Sequence, residues 1–381
     1  MKHRDISVKI LEYAKAMPVV TVTGPRQSGK TTLCRALFPD KPYVNLEALD
    51  ERAFALDDPR GFLARFPDGA VLDEIQRAPD LVSYIQVAVD ESRRDGMFVL
   101  TGSQNLLLMA SVSQSLAGRT ALATLLPFTR REAYGDDPPD LMAMLVRGFF
   151  PRVASSDVSP FEMLSFYIAT YVERDVRNLL QVKDSARFDT FLRLCAGRTG
   201  QLLNYSTLAS DAGVSVNTAK DWISILETSY ILRRLPPWFA NVNKQLSKTP
   251  KLFFLDTGLV CCLLGISTPS HLTSHPLRGA IFETFVVNEM WKRQANACQP
   301  DALYHYRDGA KNEVDVVEAT GEGLRLTEIK SGATVATDWT RTIERVSSFL
   351  PDVKASRVVF GGQGSSTRHG TSVVSWRNFS P

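Results

Sequence analysis

The sequence predicts a multidomain α/β protein: a parallel sheet covered by helices, a largely helical middle, and a second, smaller α/β domain. Three observations lead there. Runs rich in β-branched residues (Val19–Thr23, Tyr43–Leu46, Ala70–Asp73, Met97–Gly102) alternate with helical patterns, as a parallel sheet with helical crossovers requires. From Phe161 to about Arg198 the apolar residues recur at helical spacing, and beyond Gly279 a long helical run leads into short strand-like segments. A chain of 381 residues has room for two or three domains. We place them at residues 1–150, 151–265 and 266–381, with the polar, proline-bearing GDDPPD at Gly135–Asp140 near the end of the first.

The first strand opens the most specific motif. Val19 to Thr32 read VVTVTGPRQSGKTT, so Gly24 is followed five residues later by Gly29, Lys30 and Thr31, the pattern G-x-x-x-x-G-K-[ST]. Gly24 and Gly29 permit backbone angles and a close approach that a Cβ would block. The N–H groups along Gly24, Pro25, Arg26, Gln27, Ser28, Gly29, Lys30, Thr31 and Thr32, proline excepted, then form a positive concavity at a helix N-terminus. Lys30 reaches the β- and γ-phosphates and the Thr31 hydroxyl takes a Mg²⁺ coordination position. The expected ligand is a nucleoside triphosphate, ATP, with Mg²⁺.

Composition sets bounds. The chain is 44% hydrophobic and 22% charged with a net charge of only +3, so any affinity for nucleic acid must come from local patches. Five scattered cysteines with no C-x-x-C pair fit a reducing compartment and small buried apolar roles. The N-terminal MKHRDISVKILEYAKAM lacks the apolar core of a signal peptide, and no run of 18 apolar residues exists to cross a membrane. The expectation is a cytoplasmic protein without a membrane partner.

Downstream of the loop, GAVLDEIQ at Gly69–Gln76 is a strand ending in two acids. Asp73 is expected to hold Mg²⁺ and Glu74 to polarise the attacking water, a pair that hydrolysis needs beside the loop. MFVLTGSQ at Met97–Gln104 is another buried strand, whose polar end offers Ser103 or Gln104 as a sensor of the γ-phosphate. SLAGR at Ser115–Arg119 adds an arginine that completes a site either in cis or across a subunit boundary in a homo-oligomer.

With GPRQSGKTT, LDEIQ, TGSQ, and LAGR followed by LLPFTRREA, the chain resembles the prokaryotic AAA-type ATPases of the AAA+ superfamily. More narrowly it resembles the branch carrying a C-terminal domain of unknown function. GFFP at Gly148–Pro151 and YVERDV at Tyr171–Val176 extend the likeness. The resemblance implies ATP binding and hydrolysis.

In the middle, Asn204–Leu235 read NYSTLASDAGVSVNTAKDWISILETSYILRRL, a helix-turn-helix pattern leading to the strands of a winged helix. Gly213 makes the turn and Ser215 caps the second helix. Ala219, Trp222, Ile223 and Leu226 fall on one apolar face, leaving Asn217, Lys220, Asp221 and Ser224 outward, as recognition residues would be. Gln201–Lys251 holds six Lys and Arg (Lys220, Arg233, Arg234, Lys244, Lys248, Lys251) against three Asp and Glu. Asn217, Lys220, Arg233, Arg234 and Lys244 are the expected DNA contacts.

The last third carries four residues in the order E…D…E-x-K. Glu283 lies on the helix GAIFETFVVNEMWKRQ, where a carboxylate near the apolar face needs a partner. Asp315 in EVDVV faces away from Val314 and Val316, and Glu328 and Lys330 in LRLTEIK leave one face of a strand. The set matches the metal site of restriction-endonuclease-like, PD-(D/E)xK folds. Asp315 and Glu328 would bind a second Mg²⁺ or Mn²⁺, and the metal with Lys330 would stabilise a phosphodiester under attack.

Together these readings give a DNA-associated ATPase, acting on DNA ends or branches in recombination, repair or defence, whose nuclease-like domain binds DNA or also cuts it. The alternative is a nucleotide-gated regulatory or toxin-like protein whose C-terminal domain docks a partner. ATP-dependent assembly without stimulation by DNA would mark the second.

Overall fold

The computed structural model describes residues 2–102, 115–176, 185–239, 249–310, 312–336 and 338–380. They divide into two compact units, Met1–Ala133 with Lys292–Pro300, and Tyr134–Trp291 with Asp301–Pro381. The first break thus precedes residue 150, and most of the central and C-terminal segments share the second unit.

The first unit is built on five parallel strands, β1 (Val19–Thr23), β2 (Tyr43–Asn45), β3 (Ala70–Asp73), β4 (Phe98–Thr101) and β5 (Thr120–Thr124), in the order β2-β3-β4-β1-β5. β1, β3 and β4 are buried at every residue, because helices cover both faces and alternation has no solvent side to answer to. Val20, Val22, Val71 and Val99 pack with Ile6, Ile10, Leu33 and Cys34. Their neighbours Val19, Ala70, Leu72, Phe98 and Leu100 pack with Phe62, Leu81, Val82 and Ile85. The glycine loop therefore leaves the sheet between β4 and β5, at the carboxyl ends where open parallel sheets place ligands.

The second unit holds two sheets. The smaller has strands β6 (Gln201–Leu202), β7 (Leu232–Leu235) and β8 (Lys251–Phe254), antiparallel in the order β6-β8-β7. Helices Ser185–Ala196, Tyr205–Ala212 and Val216–Thr228 accompany it. The Asn204 and Ser215 side chains each accept a backbone N–H three residues on, at 3.0 Å, and Gly213 turns with φ +66°. Ala219, Trp222, Ile223 and Leu226 are buried as their spacing predicts. Trp222 meets Phe188 and Phe191 edge-on at 5.2 and 5.0 Å.

The GFFP run is structural. The Phe149 N–H donates to Asp256 at 2.7 Å, and the same carboxylate caps the helix Thr257–Leu263 through Leu259 N–H at 3.1 Å. Phe149 stacks on Phe285 at 5.7 Å, and Phe150 meets Tyr167 at 4.8 Å. A Cβ on Gly148 would fall 2.3 Å from Asp256 Oδ1, so only glycine admits this cap.

The larger sheet comprises β9 (Leu303–Arg307), β10 (Glu313–Thr320), β11 (Gly323–Lys330), β12 (Val353–Phe360), β13 (Ser365–Arg368) and β14 (Thr371–Ser375), in the order β13-β14-β12-β11-β10-β9. β9, β10 and β11 are antiparallel neighbours, whereas β11 and β12 are parallel and joined through helix Arg341–Phe349. Helix Arg278–Asn296 precedes β9. No disulfide joins the thiols. Cys34, Cys195, Cys261 and Cys262 are buried, and burial pushes each thiol up, that of Cys34 to about 12.

Candidate nucleotide site and a carboxylate–lysine cluster

β1 ends at Thr23 and the loop begins with Gly24 at φ +144°, where a Cβ would lie 2.1 Å from the Leu125 carbonyl oxygen. Gly29 has φ +92° and caps helix Lys30–Leu37, while Gln27 adopts φ +63°. Lys30 is only 6% exposed. Its Nζ donates to the Gly24 and Pro25 carbonyls, both at 2.9 Å, and burial lowers it to about 8. Ser28 is fully buried and its Oγ finds no partner among the described residues. Arg26 is half-buried, and Thr32 is exposed at the helix start.

Arg4 braces this loop, and sequence reading missed it. Its guanidinium donates to Ser28 O at 2.9 Å, Leu126 O at 2.6 Å and Glu132 Oε1 at 3.2 Å, and lies 4.8 Å from the Phe128 ring centroid. One buried side chain thus ties the loop to the segment beyond β5.

At the end of β3, Asp73 is 3% exposed and accepts three hydroxyls. Thr31 Oγ1 and Tyr43 Oη donate to Oδ2 at 2.7 Å each, and Thr101 donates to Oδ1. Tyr43 and Thr101 carry no motif; their role follows from sheet order, which puts β2 and β4 on either side of β3. Glu74 sits at φ +57°, ψ +44°, a left-handed conformation rare outside glycine and frequent at functional sites. Burial raises its carboxyl, and the Gln76 amide donates to it.

Other expected residues are placed differently. Ser103, Gln104 and Lys244 lie outside the described residues. Arg119 precedes β5, and its carbonyl accepts from Val19 N–H at the amino end of β1. That is the edge opposite the glycine loop, where its guanidinium grips Asp90 at 2.6 and 2.9 Å. The structure does not bring it to the nucleotide site in cis. Asn217 and Lys220 are exposed as expected, Lys220 lying 6.0 Å from the Tyr205 ring centroid. Arg233 and Arg234 are not free contacts. Arg233 pairs with Asp301 and stacks over Trp291, while Arg234 donates to Glu227 at 2.8 Å and Tyr205 Oη at 3.3 Å. Lys251, counted in the local cation surplus, is buried.

Lys251 belongs to a second polar centre. Its Nζ lies 2.8 Å from Glu313, 3.0 Å from Glu283 and 3.4 Å from Asp315. Asp315 accepts Ile329 N–H at 2.8 Å, and Lys330 Nζ reaches Glu328 at 2.5 Å. Glu283, Asp315, Glu328 and Lys330 therefore converge as their order predicts, with Lys251 and Glu313 as members the pattern did not name. Burial, reinforced by Asp315, raises Glu283 and Glu328 to about 8 each. Burial alone would lower Lys251, but the carboxylates around it outweigh that and raise it. His305 is pushed down to about 4 by burial beside this charge. Glu328 Oε2 is buried without a partner among the described residues.

Residues 16–134 match the family model "AAA domain", residues 138–270 "Domain of unknown function (DUF8612)" and residues 278–379 "Domain of unknown function (DUF4143)". The chain is 32% identical over 369 residues to "Uncharacterized protein Rv2008c" of Mycobacterium tuberculosis and, equally, to "Uncharacterized protein Mb2031c" of Mycobacterium bovis, covering 95% of this chain and 81% of each relative. Among solved structures, a Walker-type ATPase of Pyrococcus abyssi aligns with TM-score 0.47 at 17% identity, covering 68% of this chain and 95% of that one. AMPPCP-bound DnaA from Aquifex aeolicus aligns with TM-score 0.30 at 13% identity, covering 58% and 85%. No helix among the described residues is long and apolar enough to cross a membrane. The chain belongs to the family of these mycobacterial proteins, and its first unit is an AAA-type P-loop ATPase domain.

Proposed function

We propose that the protein hydrolyses ATP and couples that hydrolysis to work on DNA. The observation that carries the ATPase reading is the 2.7 Å hydrogen bond from Thr31 to Asp73 beside buried Lys30 and left-handed Glu74. Hydroxyl and carboxylate form the oxygen pair that a hard cation takes, and the unpartnered Ser28 hydroxyl is a further polar group inside the loop. These residues fit Mg²⁺ with ATP, and the bound metal would neutralise charge on the phosphates. Lys30 would exchange its two carbonyl partners for phosphate oxygens. Glu74 would accept the proton of the attacking water.

The DNA reading rests on the second unit. Helix, short strand, two helices joined at Gly213, then two strands in the order β6-β8-β7 support a winged-helix reading, with Asn217, Lys220, Asp221 and Ser224 exposed on one helix. The long helix, β9–β11, helix Arg341–Phe349 and β12, with the Glu283–Asp315–Glu328–Lys330 set, supports a restriction-endonuclease-like fold for the C-terminal part. Hydrolysis measured at low salt with single-stranded, duplex and branched DNA, in wild type, Glu74→Gln and Lys220→Glu, tests the reading. Stimulation by one DNA form that Lys220→Glu weakens is expected. No binding to any form at low salt would overturn it, since phosphate contacts are strongest there.

The pairing of Arg233 and Arg234 within the protein favours a second reading, in which ATP gates assembly and the C-terminal part docks a protein partner. Oligomerisation driven by ATP with hydrolysis indifferent to DNA would select it. In either case the distance of Arg119 from its own glycine loop favours a role toward a neighbouring copy over one in cis.

A further inference from the structure

The nuclease-like carboxylate set does not fit a divalent cation in this chain. Lys251 Nζ lies within 2.8–3.4 Å of Glu283, Glu313 and Asp315, and so already claims Asp315, one of the two carboxylates expected to hold the metal. Asp315 spends its other oxygen on Ile329 N–H, and Lys330 engages Glu328 Oε1, leaving Oε2 alone, a single oxygen too few to hold a divalent cation. Among the described residues no group of three or more His, Cys, Asp or Glu is arranged to hold a metal ion. We propose that Lys251 is a built-in cation standing in for the metal, so that the C-terminal site is a metal-free, cleavage-silent clasp that fastens β8 to the C-terminal sheet. The inference rests on the restriction-endonuclease-like reading of the four-residue set.

Three features support a permanent occupant rather than a passing one. Lys251 lies on the central strand of its sheet, in register with Leu202 on one side and Leu235 on the other, so its Cα cannot withdraw without breaking two ladders. The side chain is 4% exposed, and at such depth an ammonium needs carboxylate partners as much as they need it. A divalent ion entering the set would meet a positive charge already at hydrogen-bond distance from its ligands, and expelling Lys251 would leave it no water to reach. The sequence pattern alone reads as an intact metal site because the replacing cation comes from a different sheet, about thirty residues before the set begins.

The test is Mn²⁺ binding by the full, nucleotide-free chain, read by electron paramagnetic resonance and by calorimetry, in wild type, Asp315→Asn, Lys251→Ala and Lys251→Ala/Asp315→Asn. Wild type should bind no Mn²⁺ that Asp315→Asn abolishes, and should not cut DNA in Mg²⁺ or Mn²⁺. Lys251→Ala should gain one Mn²⁺ site that the added Asp315→Asn removes. Should Lys251→Ala fail to fold, Lys251→Ala/Glu283→Gln removes one charge of each sign and carries the same expectation. An Asp315-dependent Mn²⁺ site or cleavage in wild type would overturn the lysine's role while leaving the nuclease-like reading in place. A folded Lys251 variant that gains no Mn²⁺ site would overturn both.

Discussion

Lys30 and Lys251 are the same side chain at nearly the same burial, 6% and 3% exposed, yet their surroundings drive them in opposite directions. Lys30 is held by two neutral carbonyls, and burial pulls it down to about 8. Lys251 is held by three carboxylates and is raised. A buried ammonium whose hydrogen bonds go to carbonyl dipoles, with Glu74 and Asp73 acting on it only through space, has charge to spare, so an arriving polyanion relieves it. One ringed by carboxylates is already balanced, and any further ion disturbs it. The first environment makes a binding site; the second makes a joint.

Substitutions can break this contrast. The largest effect is expected at Glu74. Glu74→Gln should lower kcat by about 10²–10⁴-fold while ATP binding survives, measured by steady-state hydrolysis and nucleotide titration. Lys30→Met should cost about 10²–10³-fold in hydrolysis, with ATP binding weakened and the unfolding midpoint in denaturant no lower than wild type. Lys251→Met should do the reverse. Leaving buried carboxylates unpaired should destabilise the second unit by about 3–5 kcal/mol, read in chemical denaturation, with part of the loss restored by adding Glu283→Gln. Equal stability losses in Lys30→Met and Lys251→Met would erase the distinction. Next comes Arg4→Leu, which removes the brace behind the loop. A loss of about tenfold in ATP affinity, roughly the worth of one charged hydrogen bond, should appear in equilibrium titration. The smallest effect is expected at Arg119. Arg119→Ala should leave stability unchanged and reduce hydrolysis only at protein concentrations where wild-type specific activity rises with concentration.

What could be read from sequence follows how local each feature is. The glycine loop, Asp73 and Glu74 are set by contiguous residues whose spacing is itself the chemistry, and the helix face Ala219, Trp222, Ile223 and Leu226 is set by a 3.6-residue period. Glu283, Asp315, Glu328 and Lys330 were legible because type and order survive on separate elements. Arg4, Tyr43, Thr101, Lys251 and Glu313 were not. Each acts through a partner chosen by sheet order or by packing of distant segments, and nothing in the neighbouring residues marks it. Lys251 is the clearest case: beside Pro250 and before three apolar residues it reads as an ordinary strand end, and only the approach of the helix bearing Glu283 gives it a role. Arg233 and Arg234 show the converse, since two adjacent arginines read as a basic patch until Asp301 and Glu227 claim them.

The buried thiols give the chain a set of clocks. Cys34 sits in the core behind the glycine loop, and Cys195, Cys261 and Cys262 lie within the second unit. A thiol that is both enclosed and held protonated reacts with an alkylating reagent only when its surroundings open. Peptide-resolved mass spectrometry after timed alkylation would therefore record the breathing of the ATPase unit and of the second unit separately, in one unlabelled sample. Adding nucleotide should slow the Cys34 clock.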